Sequence, residues 1–502
     1  MNKKSLKKNY FYNLCYQLFV MILPLLITPY ISRVLGAEEI GIYSYTTSIT
    51  AFFIMLGTLG INIYGQREVA YVQDDVEKRS KIFGELIILR TITIIISSTI
   101  YYFLFVVNNK YSLFYKILLF EIIAYIFDIS WFFQGMEDFK KVAIRNILVK
   151  FLLMIQIFIF VKSVNDLWIY ILIYTLSIFF GNCTFWIKIK KYVIFPEKID
   201  LKKHIKPMLL LFLPQVAVQI YTVLDKTMIG IILGNMSKVG YYEQAQKIVK
   251  LILSIITTFG TVMLPRISYI YVNQNEKELK EKINLSFNFV WFLGFPIVFG
   301  LLSISSIFVP IFFGKGYDEV SILIKVFTPI VLIIGCANVI GIQYLIPTKK
   351  QNYYTFSVII GALVNVVFNL ILIPNFEAIG AAIASVLAEL TGLLIQIYFV
   401  RKIFDFKYIF KKSINYLLSA FIMFIICVFI NNMISNNLIS LILQVIIGIM
   451  LYFGILILIK DDLILKILNR GDLNEKNRNW QTSRYYYRYH INFINYSFNI
   501  TT

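Results

Sequence analysis

The chain has 502 residues, of which 59% are hydrophobic and only 15% charged, and its mean hydropathy is +0.74. Soluble domains carry about a quarter charged residues, so this composition excludes an ordinary soluble protein. Apolar runs cover nearly the whole length and predict an all-α polytopic membrane protein. The net charge of +20 does not indicate nucleic acid, because the basic residues lie between the apolar runs.

Fourteen segments are long and apolar enough to cross about 30 Å of hydrocarbon as helices. The first follows a basic N-terminus and shows no small-residue cleavage site, so we expect it to be retained rather than removed as a signal peptide. In chain order the predicted spans are 10–32, 40–63, 82–106, 114–134, 144–162, 167–187, 208–233, 240–264, 286–313, 321–346, 354–374, 378–400, 413–431 and 437–459.

The connections between these spans alternate in charge. One set contains "KKSLKK", "EDFKK" and "IKIKKYVIFPEKIDLKKHIK", whereas the other set is short and poor in Lys and Arg. Because cytoplasmic loops collect basic residues, this asymmetry predicts a multi-pass protein of the cell membrane with both termini in the cytoplasm. The short outer loops leave no room for an external catalytic domain, and no Walker-type phosphate loop occurs. The pattern favours a transporter over an enzyme.

Metal and redox chemistry have no support in the sequence. The four cysteines lie far apart inside apolar runs, and only two histidines occur, both outside the spans. No CxxC pair is present, so neither a disulfide framework nor a zinc site is indicated. We therefore expect no metal and no cofactor.

A short motif joins spans 1 and 2 and recurs between spans 7 and 8. The first copy reads "LGAEEIGIY" from Leu35, and the second reads "LGNMSKVGYY" from Leu233. We expect the first glycine of each copy to end a helix at positive φ and the second to let the next helix begin close by. Chance similarity of two hairpin turns is the alternative. The repeat predicts an N-terminal six-helix lobe (1–190), a cytoplasmic connection (191–207), a C-terminal six-helix lobe (208–402), two additional transmembrane helices (403–468) and a polar, aromatic cytoplasmic tail (469–502) that we expect to be disordered.

Prolines inside the predicted spans are hinge candidates. Parallel halves around a central site are a standard architecture of secondary transporters, and kinked helices often mark the parts that move. The alternative is the ordinary tolerance of membrane helices for proline. The candidates are Pro24 and Pro29 in span 1, Pro214 in span 7, Pro296 in span 9 and Pro329 in span 10.

Several spans contain charged side chains, which are costly in hydrocarbon and therefore line a cavity or pair with one another by default. Glu243, Lys247 and Lys250 have helical spacing and predict one charged stripe. Asp225 and Lys226 are adjacent, so their side chains diverge by about 100° and face different partners. Lysines that face a cavity would attract phosphate; snorkelling to a membrane face is the alternative.

The remaining intramembrane charges allow two interpretations each. Glu389 lies near the middle of its span and either carries a proton or cation or pairs with a lysine. The other charged residues either line the cavity, pair across helices as structural ties, or extend to a membrane face. The candidates for substrate binding are Arg90, Lys150, Asp225, Lys226, Lys247 and Lys250, and the candidates for a coupling ion are Glu121, Asp128 and Glu389.

Five separated motifs between about residues 9 and 460 resemble one known family. They read "YNLCYQLFVMILPLLITPYISRVLGAEEIGIYSYTTSI", "LGINIYGQREVA", "DISWFFQGMEDFKKVAIRNILVK", "LDKTMIG" and "VGYYEQAQKIVKL". In this order they resemble the polysaccharide-transport family of Wzx-type flippases, the O-antigen and capsule repeat-unit translocases of the multidrug/oligosaccharidyl-lipid/polysaccharide exporter superfamily. The matching positions are Arg33, Gly36, Gly41, Tyr43, Asp128, Trp131, Gln134, Gly135, Glu137, Asp225, Lys226, Gly240, Tyr242, Gln244 and Ala245.

The resemblance implies two six-helix bundles around a central cavity, with Arg33 and Gln244 added to the cavity candidates. It also implies that an undecaprenyl diphosphate-linked oligosaccharide moves from the cytoplasmic to the outer leaflet by alternating access, for capsule, O-antigen or exopolysaccharide synthesis. Membrane lipids, a glycan polymerase and glycosyltransferases are the expected partners, nucleic acid is not, and we expect a monomer. The alternatives are a cation-coupled drug antiporter of the same superfamily and, less favoured, a membrane glycan polymerase.

Overall fold

The structure is a computed structural model that describes residues 6–187, 189–194, 199–461 and 463–465, with only the backbone for a few stretches inside helices. All regular structure in these residues is helical. The α-helices are α1 (Leu6–Thr58), α2 (Ile61–Tyr71), α3 (Val76–Tyr101), α4 (Ser112–Ala124), α5 (Ser130–Gly135), α6 (Phe139–Phe160), α7 (Leu167–Trp186), α8 (Lys202–Leu233), α9 (Met236–Val272), α10 (Glu276–Phe313), α11 (Asp318–Ile340), α12 (Gln351–Val400), α13 (Phe406–Met433) and α14 (Asn437–Leu458).

The all-α polytopic class is confirmed, because ten helical segments of the described chain are long and apolar enough to cross a membrane. The number of predicted spans, fourteen, is roughly consistent with these helices. Two continuous helices each contain two predicted spans: α1 leaves helical geometry only at Gly36 and α12 only at Glu377. Predicted span 4 is divided into α4, a short 3-10 turn and α5. The predicted tail, 469–502, lies outside the described residues.

The segment after span 2, expected to be a connecting loop, is the additional helix α2. A left-handed Gly60, with φ of 73°, precedes it. A Cβ added to Gly65 of α2 would lie 2.5 Å from the Trp131 ring, and one added to Gly135 would lie 2.7 Å from the Gln66 carbonyl oxygen. The family motifs "LGINIYGQREVA" and "DISWFFQG" are therefore the two surfaces of one close α2–α5 contact.

The start of α8 docks on the N-terminal half of the chain. His204 lies between Tyr64 Oη, 2.7 Å from its Nδ1, and Glu85 Oε2, 2.9 Å from its Nε2. Lys203 Nζ is 2.8 Å from the same Glu85 oxygen, and Met208 packs in the core formed by α2, α3 and α5. The connection between the halves is thus anchored to the first half. The boundaries of the lobes stay a prediction.

The predicted hinge prolines do not coincide with the breaks in helical geometry. Helix α1 remains helical through Pro24 and Pro29, and α10 and α11 remain helical through Pro296 and Pro329. Membrane helices accommodate proline because neighbouring groups and local adjustments satisfy the freed carbonyl. The side chain of Pro214 lies outside the described residues. A hinge role for these prolines stays a prediction.

Candidate functional site

The two copies of the glycine motif meet each other in space. Gly36 and Gly234 have φ of 76° and 65°, as expected for the glycine that ends each helix. A Cβ on Gly41 would overlap the Met236 carbonyl oxygen and lie 3.0 Å from the Gly240 nitrogen. A Cβ on Gly240 would overlap the Ala37 carbonyl oxygen. The contact is reciprocal, like that of a two-fold interface. The second glycine was expected to serve its own hairpin, whereas its closest contact is with the other half.

Polar side chains continue this interface along α1. Ser48 Oγ and Thr227 Oγ1 are 2.7 Å apart, and Gln244 Nε2 donates to Ser32 Oγ at 3.1 Å. Ser44 Oγ donates to Glu243 Oε2 at 3.1 Å. These hydrogen bonds join α1 to α8 and α9, so α1 from Ser32 onward forms the border at which the two halves of the chain meet.

A charged cluster on α8 and α9 lies at this border. Lys226 Nζ is 2.8 Å from Glu243 Oε2, and Lys247 Nζ is 3.4 Å from Glu243 Oε1. Lys250 lies one turn further along α9, is exposed, and donates to Gln246 Oε1 at 2.9 Å. Three lysines around one glutamate leave an excess of positive charge. The structure thus brings together three of the predicted substrate-binding residues, and we call Lys226, Glu243, Lys247 and Lys250 the charged cluster.

Tyrosines of the N-terminal half face the same region. The rings of Tyr43 and Tyr170 are 4.9 Å apart and those of Tyr170 and Tyr174 are 5.0 Å apart. All three interact electrostatically with Glu243, and Tyr43 and Tyr174 also interact with Glu121 of α4. Glu121 and the charged cluster thus lie near the same tyrosines. These tyrosines were not among the predicted site residues. The i, i+4 spacing of Tyr170 and Tyr174 in a predicted span places both on one helix face and could have indicated them.

Asp225 faces away from the charged cluster, as its neighbour position to Lys226 predicts. Its Oδ2 accepts from Tyr242 Oη at 2.5 Å and from Ser385 Oγ at 2.6 Å, while its Oδ1 accepts from Asn369 Nδ2 at 2.6 Å. The Asp225 side chain is 1% exposed. Three donors from α9 and α12 satisfy this buried carboxylate, so its visible role is to hold α8, α9 and α12 together.

Three further candidates, Arg90, Asp128 and Lys150, lie outside the helices that carry the charged cluster. Arg90 is fully buried and donates to the Asp128 carbonyl oxygen and, at 2.5 Å, to Asn62 Oδ1. The Asp128 carboxylate accepts from the Ser130 nitrogen, at the start of α5, at 3.0 Å. These contacts fit the structural alternative for both residues. Lys150 is half-buried on α6, and no hydrogen bond or ion pair joins its side chain to another described residue.

Two cavities complete the geometry. One cavity, of about 740 Å³, lies beside the glycine motifs and is lined by Arg33, Glu38, Tyr241 and Lys315 among others. The Arg33 guanidinium donates to the Ile311 carbonyl oxygen at 2.6 Å. The other, of about 300 Å³, includes Glu389 and lies between α9, α11 and α12; we call it the Glu389 cavity. In the described part of the chain, no group of three His, Cys, Asp or Glu side chains could hold a metal ion.

Two family models match this chain. One is described as "Polysaccharide biosynthesis protein" and covers residues 6–271. The other is described as "Lipid II flippase MurJ" and covers residues 168–451. Each covers more than half of the chain, and together they extend over nearly every described helix.

Individual proteins agree with these models. A putative O-antigen transporter of Escherichia coli K12 is 26% identical over 80% of this chain and 98% of its own. A putative O-antigen transporter of Shigella dysenteriae is 22% identical over 76% of this chain and 96% of its own. Among solved structures, a lipid II flippase MurJ superposes with a TM-score of 0.73 at 18% identity, covering 91% of this chain and all of that one. A multidrug MATE transporter superposes at 0.60 with 11% identity, covering 76% and 94%. At such identities, the two structures show a shared fold.

Proposed function

This chain belongs to the polysaccharide biosynthesis protein family, the Wzx-type branch of the multidrug/oligosaccharidyl-lipid/polysaccharide exporter superfamily, and on that premise we propose that it flips undecaprenyl diphosphate-linked oligosaccharides. The direction is from the cytoplasmic to the outer leaflet of the cell membrane, with both termini cytoplasmic. The product would feed capsule, O-antigen or exopolysaccharide synthesis. Membership of this family makes the protein a transporter rather than an enzyme.

One observation carries the proposal for the substrate: the charged cluster lies at the border between the halves. Lys226, Lys247 and Lys250 outnumber the single glutamate at their centre, so the cluster can neutralise most of the charge of a diphosphate. Hydrogen bonds between ammonium and phosphate groups are strong, and desolvation inside a membrane protein strengthens them further. The cluster would hold the diphosphate while the polyprenyl chain stays in lipid.

The glycine contact supports alternating access. With the termini in the cytoplasm, Gly36 and Gly234 lie at the outer ends of their helices, so the Gly41–Gly240 contact closes the outer side of the border. Release of a glycan outside requires this contact to open. Because the contact consists of backbone against backbone, we infer that the halves separate there as rigid bodies.

Glu121, Asp128 and Glu389 are acids inside the membrane region and are candidates for a coupled proton or cation. Glu121 interacts with Tyr43, which also interacts with Glu243 of the charged cluster, so we propose Glu121 as the acid that exchanges charge with the substrate site. A glycan polymerase and glycosyltransferases are the proposed partners.

A cation-coupled drug antiporter is the alternative, and the MATE-like fold favours it. Such a protein binds cationic substrates through acids, whereas the charged cluster of this chain carries excess positive charge. The two functions therefore predict opposite effects of removing lysines. If the protein is a flippase, loss of the cluster lysines abolishes glycan export and leaves drug sensitivity unchanged.

The cellular test uses a strain without the protein, in which we expect the lipid-linked glycan to accumulate at the inner leaflet. Wild-type protein and the Lys325→Ala variant should restore export. Lys325 is a matched control because it also lies in a membrane helix but contacts Ser306 rather than the charged cluster. Lys226→Ala and Lys247→Ala at equal protein levels should not restore export. Full restoration by both variants would refute the proposed role of the cluster.

A further inference from the structure

The Glu389 cavity exists because small residues line it. Gly361, Ala362, Ala388 and Gly392 are on its wall, all on α12, and leave about 300 Å³ free between α9, α11 and α12. That volume is at the lower end of the ~300–1,000 Å³ range of small-molecule pockets. The cavity is thus large enough for one or two sugar residues but too small for a whole oligosaccharide.

Polar groups from two helices point to a polar occupant. Gln396 is 3% exposed, and its Nε2 donates to Ser357 Oγ at 3.1 Å, whereas its Oε1 has no hydrogen-bond partner. Glu389, Asn338 and Tyr354 also line the cavity. A buried polar atom without a partner is costly, so an occupant that donates to Gln396 Oε1 would be favoured.

The cavity and the charged cluster share one face of α9. Glu243, Lys247, Lys250 and Thr257 follow the spacing of a single helical stripe, and Thr257 lines the cavity. From Lys250 to Thr257 the helix rises about 10 Å. A substrate whose diphosphate contacts the lysines therefore carries its first sugar residues toward this cavity.

Resting on the proposed function, we propose that the Glu389 cavity binds the sugar residues nearest the diphosphate of the lipid-linked glycan. Sugar hydroxyls both donate and accept, and the cavity offers acceptors at Glu389 and Gln396 Oε1, amide groups at Asn338 and Gln396, and an aromatic ring at Tyr354. The charged cluster recognises the part that all such lipids share. The cavity makes the protein sensitive to the sugar.

The test measures binding to the purified full-length protein in detergent. The two probes are undecaprenyl diphosphate and the lipid-linked glycan that accumulates in the strain lacking the protein. Gly392→Met fills the cavity, and Gly392→Ala is its control, because an added Cβ meets only the Ser357 carbonyl oxygen, at 3.6 Å. Gln396→Met keeps the volume and removes the polar group.

For wild type and Gly392→Ala we expect the glycan-bearing lipid to bind about tenfold more tightly than undecaprenyl diphosphate, the effect of one or two hydrogen bonds. Gly392→Met and Gln396→Met should lose that difference while binding undecaprenyl diphosphate as wild type does. The inference is overturned if wild type shows no difference, if the difference survives in either variant, or if a variant loses both lipids together. Failure of undecaprenyl diphosphate to bind wild type refutes the proposed function instead.

Discussion

Gly41 of α1 packs directly against Gly240 of α9: a Cβ on Gly41 would lie 3.0 Å from the Gly240 nitrogen, and a Cβ on Gly240 would lie 3.2 Å from the Gly41 nitrogen. The two glycines are separated by the same 199 residues as Ser44 and Glu243, which are joined by a hydrogen bond. Equivalent positions of the sequence repeat thus contact each other around a local two-fold relationship. The closed outer border depends on the absence of two Cβ atoms.

Substitution of either glycine should therefore prevent closure. A Cβ at Gly41 overlaps a carbonyl oxygen of the backbone, which cannot move as a flexible side chain would. We expect Gly41→Ala and Gly240→Ala to reduce glycan export more than tenfold and to lower the midpoint of thermal unfolding. Gly300→Ala is the control, since a Cβ at this position in α10 meets nothing within 4 Å. Wild-type export by Gly41→Ala would show that the contact is not required.

Arg90 should act as a structural tie. Arg90→Lys keeps the charge but cannot reach both the Asp128 carbonyl oxygen and Asn62 Oδ1, because a lysine lacks the planar fork of donors. We expect a lower midpoint of thermal unfolding and unchanged affinity for undecaprenyl diphosphate in the folded fraction. A variant as stable as wild type that has lost this affinity would assign Arg90 to the substrate site instead.

The anchor of α8 offers a third prediction. The Glu85 side chain is fully buried, and its carboxylate contacts both Lys203 and His204. Glu85→Gln removes the negative charge at this position. Loss of a charge-assisted acceptor from a buried hydrogen-bonded network is destabilising, so we expect a clear loss of thermal stability. Glu77→Gln, at an exposed site of the same helix, should change it little. Equal stability of the two variants would show that the anchor does not contribute.

Asp225 and Lys226 are neighbours in the sequence, and we expect their substitution to have different effects. Asp225→Ala removes the acceptor that Tyr242, Ser385 and Asn369 share, and loss of these buried hydrogen bonds destabilises the fold even though the Tyr242–Ser385 and Asn369–Asn365 hydrogen bonds remain. We expect this variant to express poorly or unfold early, whereas Lys226→Ala stays folded but fails to export. Reversed phenotypes would contradict the separation of a structural from a substrate-facing side chain.

Much of the fold followed from one-dimensional patterns. Hydropathy is sufficient to identify membrane helices because the bilayer requires long apolar segments, and the breaks at Gly36 and Gly234 followed from the conformational freedom of glycine. Helix α2 was missed because its apolar face is short and packs on Trp131 rather than spanning lipid.

The site was predictable only in part. Helical spacing brought Glu243, Lys247 and Lys250 together, since residues on one helix have fixed relative positions. The contacts of Ser44 with Glu243, and of Asp225 with Asn369, join helices distant in sequence. No local pattern in a single sequence specifies such pairs, and for the same reason Arg90 could not be separated from the cavity lysines before its partners were seen.

Titration of the purified protein with undecaprenyl diphosphate tests the charged cluster most directly. We expect the Lys226→Ala/Lys247→Ala double variant to bind at least a hundredfold more weakly than wild type, because two charge-assisted hydrogen bonds are lost. Lys325→Ala should bind as wild type does. Equal affinity of the double variant and wild type, with both folded, would contradict the account.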